Sequence, residues 1–280
     1  MKKDFYNQNK ELILSIIKKE VYLSNDSLMH LFKEIKDRSL VSTNLSYNKF
    51  FLKLLDEGLT QYSIKIRNIE KVRYTLEKNF NIYQFSKTLE KKSFFSMSTA
   101  LNIQNLTNAR NDLVFVSKER ATRLEFDLKT IKQESIDNAF SKKPRRTTAH
   151  DKIKDYSIVI LQSNNTNEYE VIDYNGYRVS SVNRVFVEAI SNIQYFKNPD
   201  FLIKTFKEIK EELNVKDIYD VITNFDFIYP YYQLAGFYLE KIGFKKDELV
   251  SFYNKKSNLN FYTHKNQMKY NYNEYWKIYF

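Results

Sequence analysis

Asp112, Asp127 and Lys129 come nearest, by type and spacing, to a set of residues that could do chemistry. Asp127-Leu128-Lys129 is an acid-x-lysine segment within RLEFDLKTI, a predicted strand, and Asp112 opens the preceding predicted strand, DLVFVS. Two carboxylates and a lysine on neighbouring strands can hold Mg²⁺ against a scissile phosphate, as a metal-dependent nuclease requires. The same spacing also falls on the solvated edge of a hairpin in a chain that is 28% charged. Other reaction centres lack their parts. His30, His150 and His264 are not paired at metal-ligand spacing, there is no cysteine, and there are only 4 glycines. A thiolate zinc site, a Ser-His-Asp triad and a phosphate-binding glycine loop are therefore not expected, and no cofactor is.

A second constellation is polar and cationic. Asn44, Ser46, Asn48, Lys49 and Lys53 lie at the start or on the polar face of a predicted helix over Leu45–Glu57, and Lys65, Arg67, Lys71 and Arg73 cluster on the two strand-like runs that follow and the polar RNIE joining them. Phosphates are contacted by cations, and base edges are read by Asn, Ser or Arg near a helix start. The elements that must position these groups are legible. Leu12, Ile13, Ile16, Ile17 and Val21 repeat at helical spacing. Leu28, Leu31, Phe32 and Ile35 do the same behind Asn25 or Asp26 as a cap. Tyr47, Phe50, Phe51, Leu54 and Leu55 form the apolar face of the third helix, with Gly58 placed to end it. TQYSIKI and KVRYTLE then form a hairpin. Three short helices followed by a hairpin is the order of a winged helix-turn-helix, whose third helix enters the major groove. The same order also serves protein docking in small bundles.

A third cationic stretch is SKKPRRTTAH, Ser141 to His150. Lys142, Lys143, Arg145 and Arg146 surround Pro144, which biases Lys143 towards extended backbone. Lysines outnumber arginines 35 to 10, so two adjacent arginines stand out. The stretch is either a functional basic surface, touching nucleic acid or an acidic partner, or a solvated loop.

The net charge of +11 favours a polyanionic partner. The abundance of Lys, Asn, Ile, Phe and Tyr, however, is also what an AT-rich genome imposes on any protein. A hydrophobic fraction of 42% is enough for a core. The N-terminal KKDFYNQNKE lacks a signal-peptide core, and no run of 18 apolar residues occurs, so a cytoplasmic protein without a membrane span is expected.

Beyond a predicted helix at Ile82–Lys91, the chain is predominantly β to about residue 180. It is mainly helical over 181–256, with NP at Asn198-Pro199 opening one helix, and ends in two aromatic strands around a polar turn over 257–280. The 16% aromatic content could stack single-stranded bases, but YPYYQLAGFYLEKIGF spaces its rings at helical intervals, which is core packing.

Several of these segments, in order, resemble the AbiEi family of type IV toxin–antitoxin antitoxins, linked to abortive phage infection. FFSMSTALNIQNLTN is similar to the family's ALxxxGLT helix, with Asn105 at the usual glycine. YRVSSVNRVFVEAI is similar to its ERTLVDA-like helix start, with Arg184, Val187 and Glu188 in place. YPYYQLAGFYLEKIGF and EYWKIYF look like its late helix and terminal aromatic strand. The resemblance implies an N-terminal winged helix-turn-helix that binds inverted repeats of operator DNA and represses its own operon. It also implies a C-terminal domain that counters a nucleotidyltransferase toxin, usually without a stable complex and without enzymatic activity.

The expectation is thus an α+β chain: a winged helix-turn-helix over 1–85 and a mixed α/β antitoxin domain over 86–280. The alternatives are the Mg²⁺-dependent nuclease and a non-catalytic docking adaptor.

Overall fold

The computed structural model describes residues 4–107, 112–124, 131–165, 167–196, 198–266 and 268–280. The chain is α+β and forms two compact units, one of Met1–Lys91 with Ala149–Ile158, the other of Lys92–Thr148 with Val159–Phe280. The division falls a few residues beyond the 85/86 boundary expected from sequence. The segment 149–158, expected in the second domain, belongs to the first unit.

The N-terminal unit opens with α1 (Phe5–Gln8), α2 (Lys10–Ile17), α3 (Asn25–Asp37) and α4 (Tyr47–Asp56). Ser24, rather than Asn25 or Asp26, caps α3 by accepting a hydrogen bond from the Ser27 amide at 3.0 Å. Ser46 caps α4 in the same way through the Lys49 amide. Gly58 adopts φ +92°, and the Leu59 amide reaches back to the Leu54 carbonyl at 2.9 Å, the left-handed stop the sequence predicted. Ile13, Ile16 and Ile17 of α2, Leu28, Phe32 and Ile35 of α3, and Phe50 and Leu54 of α4 form one buried core. Phe32 and Phe50 meet at 4.8 Å between centroids.

The chain continues as an antiparallel hairpin, β1 (Thr60–Ile66) and β2 (Ile69–Thr75), and then a short α5 (Ile82–Ser86). Arg67 and Asn68 form the turn with φ of 48° and 65°, the mirror-image geometry that two-residue hairpins favour. Leu23, in the segment between α2 and α3, pairs antiparallel with Tyr74 through two backbone hydrogen bonds of 2.9 and 2.8 Å. The rings of Phe51 and Tyr74 meet edge to face, which seats α4 on the hairpin.

In the C-terminal unit, β3 (Phe94–Phe95), α6 (Met97–Ile103), β4 (Leu113–Lys118) and α7 (Gln133–Ser141) come first. A hairpin of β5 (His150–Ile153) and β6 (Tyr156–Gln162) follows, its residues up to Ile158 lying in the N-terminal unit. Then come β7 (Val171–Tyr174), β8 (Tyr177–Ser180), α8 (Val182–Ser191), α9 (Pro199–Glu208), α10 (Val215–Phe225), α11 (Tyr231–Ile242), α12 (Val250–Asn254), β9 (Phe261–Tyr262), β10 (Tyr272–Asn273) and β11 (Ile278–Tyr279). The sheet order here is β6-β4-β3-β8-β7, with β3 antiparallel to β4 and parallel to β8. Helices α6 and α8 pack together, and α11 packs against α8, α9 and α12.

Three expectations are corrected. The basic stretch, expected within a predominantly β region, follows a helix, α7, which buries Ile136 and Phe140 and whose apolar signal is too sparse to read in the sequence. The C-terminus is three short strands in the order β10-β11-β9, with β11 parallel to β9, not two strands around one turn. The predicted helix over Ile82–Lys91 stops at Ser86, since the residues beyond it form turns. No helix among the described residues is long and apolar enough to cross a membrane.

Candidate nucleic-acid interface

Asn44, Ser46, Asn48 and Lys49 are all exposed around the start of α4. The Ser46 hydroxyl is occupied by the cap, while the side chains of Asn48 and Lys49 are in no hydrogen bond or ion pair among the described residues. Lys53 is half-buried; its ammonium sits 4.7 Å over the Tyr6 ring and 3.5 Å from Asp4, so it ties α4 to α1. Leu52 is 59% exposed on α4, one turn beyond Asn48 and Lys49, and sequence reasoning did not mark it. An exposed leucine on a polar helix face is the signal that could have found it.

The four hairpin cations divide by strand face. Cross-strand partners share a face, and Tyr62 pairs with Arg73, Ile64 with Lys71, and Ile66 with Ile69. Lys71 and Arg73 thus lie on the face that buries Ile64 and Ile66, and their heads are engaged there. Lys71 donates to the Leu89 carbonyl at 2.6 Å and to Glu90 at 2.8 Å. Arg73 donates to the Thr88 hydroxyl and carbonyl and to the Val72 carbonyl, and burial lowers its pKa. Lys65, paired with Glu70, falls on the opposite face, and Arg67 sits in the turn; both are exposed. Clustering in sequence had grouped all four; the two-residue period separates them.

In the C-terminal unit, Lys142, Lys143, Arg145 and Arg146 are exposed in the non-helical segment after α7. Arg146 clamps that segment. Its guanidinium donates twice to the Gln194 carbonyl, at 2.9 and 2.7 Å, and lies 5.7 Å from the Tyr195 ring, while the Thr147 amide donates to the Tyr195 hydroxyl. Arg145 is in no ion pair among the described residues.

Of the nuclease-like set, Asp127 and Lys129 lie outside the described residues, and Asp112 immediately precedes β4. No group of three or more metal-ligating side chains occurs among the described residues.

Sequence reasoning missed one charged centre. Arg184 of α8 is 1% exposed and pairs with Glu119 at 2.9 Å and Glu188 at 2.7 Å. It also donates to the Tyr169 carbonyl and lies over the Phe94 and Phe225 rings. Glu188 additionally accepts from the Met97 amide and the Ser180 hydroxyl. The i,i+4 spacing of Arg184 and Glu188 was visible; Glu119 comes from distant sequence. Every charge in this centre is paired and hydrogen-bonded, so its arrangement locks α8 to the sheet and leaves no group free to react.

One comparison bears on this architecture. The chain is similar to the crystal structure of the RV2827C protein from Mycobacterium tuberculosis, with a TM-score of 0.57 over 98% of this chain and 91% of that one, at 8% sequence identity. At that identity the likeness is one of fold. No family model matches the chain, and no curated protein does.

Proposed function

We propose that this chain is an operator-binding repressor and antitoxin, with the N-terminal unit acting as a winged helix-turn-helix. The observation that carries the DNA-binding part is the connectivity of that unit. Helix α2, the Leu23 bridge, α3, α4 and the β1-β2 hairpin follow in order, with Leu23 pairing back onto Tyr74 in a single antiparallel bridge. In such a fold α4 is the helix that enters the major groove. Asn44, Asn48 and Lys49 then supply base and phosphate contacts, and Leu52 an apolar contact of the kind made to a thymine methyl. Lys65 and Arg67 contact the backbone from the hairpin, whereas Lys71, Arg73 and Lys53 position those elements from within.

The antitoxic role is assigned to the C-terminal unit on the family resemblance of its segments. Asn105 supports that resemblance physically. It follows α6 with φ 60°, and the Asn105 and Leu106 amides bond back to Asn102 and Leu101 at 3.1 and 2.9 Å. This is a left-handed helix stop, where glycine is the first choice and asparagine a second. The departure from the family pattern therefore keeps the backbone conformation.

The test has two arms. In a gel shift, the full chain should retard DNA from upstream of its own gene and not unrelated DNA of equal composition. In co-expression, it should restore growth to cells producing a cognate nucleotidyltransferase toxin. Retardation of both DNAs alike would remove the operator assignment; continued growth arrest would remove the antitoxic one.

A further inference from the structure

The C-terminal unit carries an open cavity of about 390 Å³ that none of the functions above uses. That volume falls within the range of small-molecule sites. Its walls come from the end of α7 and the basic segment after it, the end of α8, the start of α9, the turn into α11, and the chain from β9 onward.

Two kinds of surface meet in it. One is aromatic. Tyr229 lies with one face on Phe261, at 5.6 Å and 27°, and meets Phe140 edge to face at 6.1 Å. Tyr229 and Phe196 remain half-buried at the wall. The other surface is cationic. Arg145 and Lys265 both line the cavity, and no carboxylate is among its described lining residues. Burial, together with Arg145 and Lys142, lowers the Lys265 pKa, so these cations are close enough to repel one another. The nearby acids are otherwise placed: Asp137 accepts from the Tyr262 hydroxyl, and Asp200 acts on His264 from the first turn of α9. Asn198 and Pro199, the cap and first residue of α9, also line the cavity, so the positive end of a ten-residue helix adds to the field there.

The cation-bearing segments are held in place. Arg146 and Thr147 clamp the Arg145 segment to Gln194 and Tyr195, and the Asn266 amide bonds to the Phe140 carbonyl at 2.9 Å beside Lys265. Neither Arg145 nor Lys265 is in an ion pair with a described carboxylate, and a bound anion would relieve the repulsion between them. Half-buried aromatic faces next to them suit a flat ring. Arg145 and Lys265 each recognise phosphate oxygens, Arg by its fork and Lys as a point charge. The hydroxyls of Tyr229 and Tyr231 form no hydrogen bond with described residues and can serve ribose or base-edge groups.

We propose that this cavity binds a nucleoside phosphate, with its base against Tyr229 and its phosphate between Arg145 and Lys265. The proposal rests on the cavity alone and does not depend on DNA binding by the other unit.

Isothermal titration calorimetry on the full chain tests it, using ATP, GTP, CTP and UTP, with adenosine, inorganic phosphate and a short single-stranded oligonucleotide for comparison. At least one nucleotide should bind saturably. Adenosine and inorganic phosphate should each bind at least about tenfold more weakly, because each keeps only half of the recognition. Arg145→Gln with Lys265→Gln should weaken nucleotide binding about tenfold or more, and Tyr229→Leu should do so without altering phosphate binding. Arg145→Gln alone, at an exposed position, provides the same reading if the double variant does not fold. Four results would each overturn the proposal: no binding of any nucleotide at millimolar concentration, unchanged affinity in the Arg145 variants, inorganic phosphate binding as tightly as the nucleotide, or binding of the oligonucleotide without binding of any mononucleotide.

Discussion

Lys71 and Glu90 are joined by an ion pair of 2.8 Å, with both side chains about four-fifths buried, and the same ammonium caps the Leu89 carbonyl at 2.6 Å. Together with Arg73 on Thr88, this fastens the hairpin to the turns that follow α5. Lys71→Ala should therefore cost about 1–3 kcal/mol of stability by removing a largely buried ion pair and a donor to the Leu89 carbonyl, measured by urea denaturation. It should leave the salt dependence of DNA binding unchanged. A drop in the salt slope with no loss of stability would return Lys71 to the phosphate-contacting set.

Asn105 tests the left-handed stop after α6. Asn105→Gly should leave stability unchanged or slightly raised, while Asn105→Val should lower it by about 1–2 kcal/mol, because a β-branched residue is strained at φ 60°. Equal stabilities in the two variants would show that the helix ends otherwise.

Gly236 of α11 lies directly under the indole of Trp276, where an added Cβ would fall 2.3 Å from Cη2 and Cζ3. The tryptophan is fully buried, and its Nε1 donates to Glu240, so it has no room to withdraw. Gly236→Ala should cost about 1–3 kcal/mol or more in urea denaturation. Combined with Trp276→Leu, the alanine should cost markedly less than it does alone, a coupling that a double-mutant cycle reads directly.

Glu119 is the distant member of the buried Arg184 centre, 3% exposed at its side chain. Glu119→Ala should destabilise the C-terminal unit by about 3–5 kcal/mol, since it breaks a buried pair from one side. Removing Arg184 at the same time, as Arg184→Met with Glu119→Leu, should recover part of that loss. A cost below about 1 kcal/mol for Glu119→Ala would mean that the pair is solvated in solution.

The helical core of the N-terminal unit was legible because Ile13, Ile16, Phe32, Phe50 and Leu54 repeat at helical spacing, and the buried residues of α2, α3 and α4 are largely those predicted. Gly58 and Asn198-Pro199 likewise mark a helix end and a helix start through local backbone chemistry. What escaped depends on distant partners. Lys71 and Arg73 looked like free cations because only the pairing register shows which face of β2 they occupy. Helix α7 was missed because two apolar residues, Ile136 and Phe140, suffice where tertiary packing holds the helix. Glu119 could not be linked to Arg184 from sequence, and neither could Arg145 to Lys265, since these pairs meet only through the fold. The adjacent arginines show the same limit: Arg146 is a clamp and Arg145 a cavity wall, a difference that no spacing rule contains.

The central claim, that the N-terminal unit reads operator DNA through α4 and the exposed hairpin cations Lys65 and Arg67, is tested most directly by the salt dependence of binding. The full chain and a Lys49→Ala, Lys65→Ala, Arg67→Ala triple variant should be titrated onto DNA from upstream of the gene across a series of salt concentrations. The account predicts tight, strongly salt-dependent binding by the full chain and a log–log slope smaller by about three in the triple variant, roughly one for each phosphate no longer neutralised. An unchanged slope and affinity in that variant would contradict it.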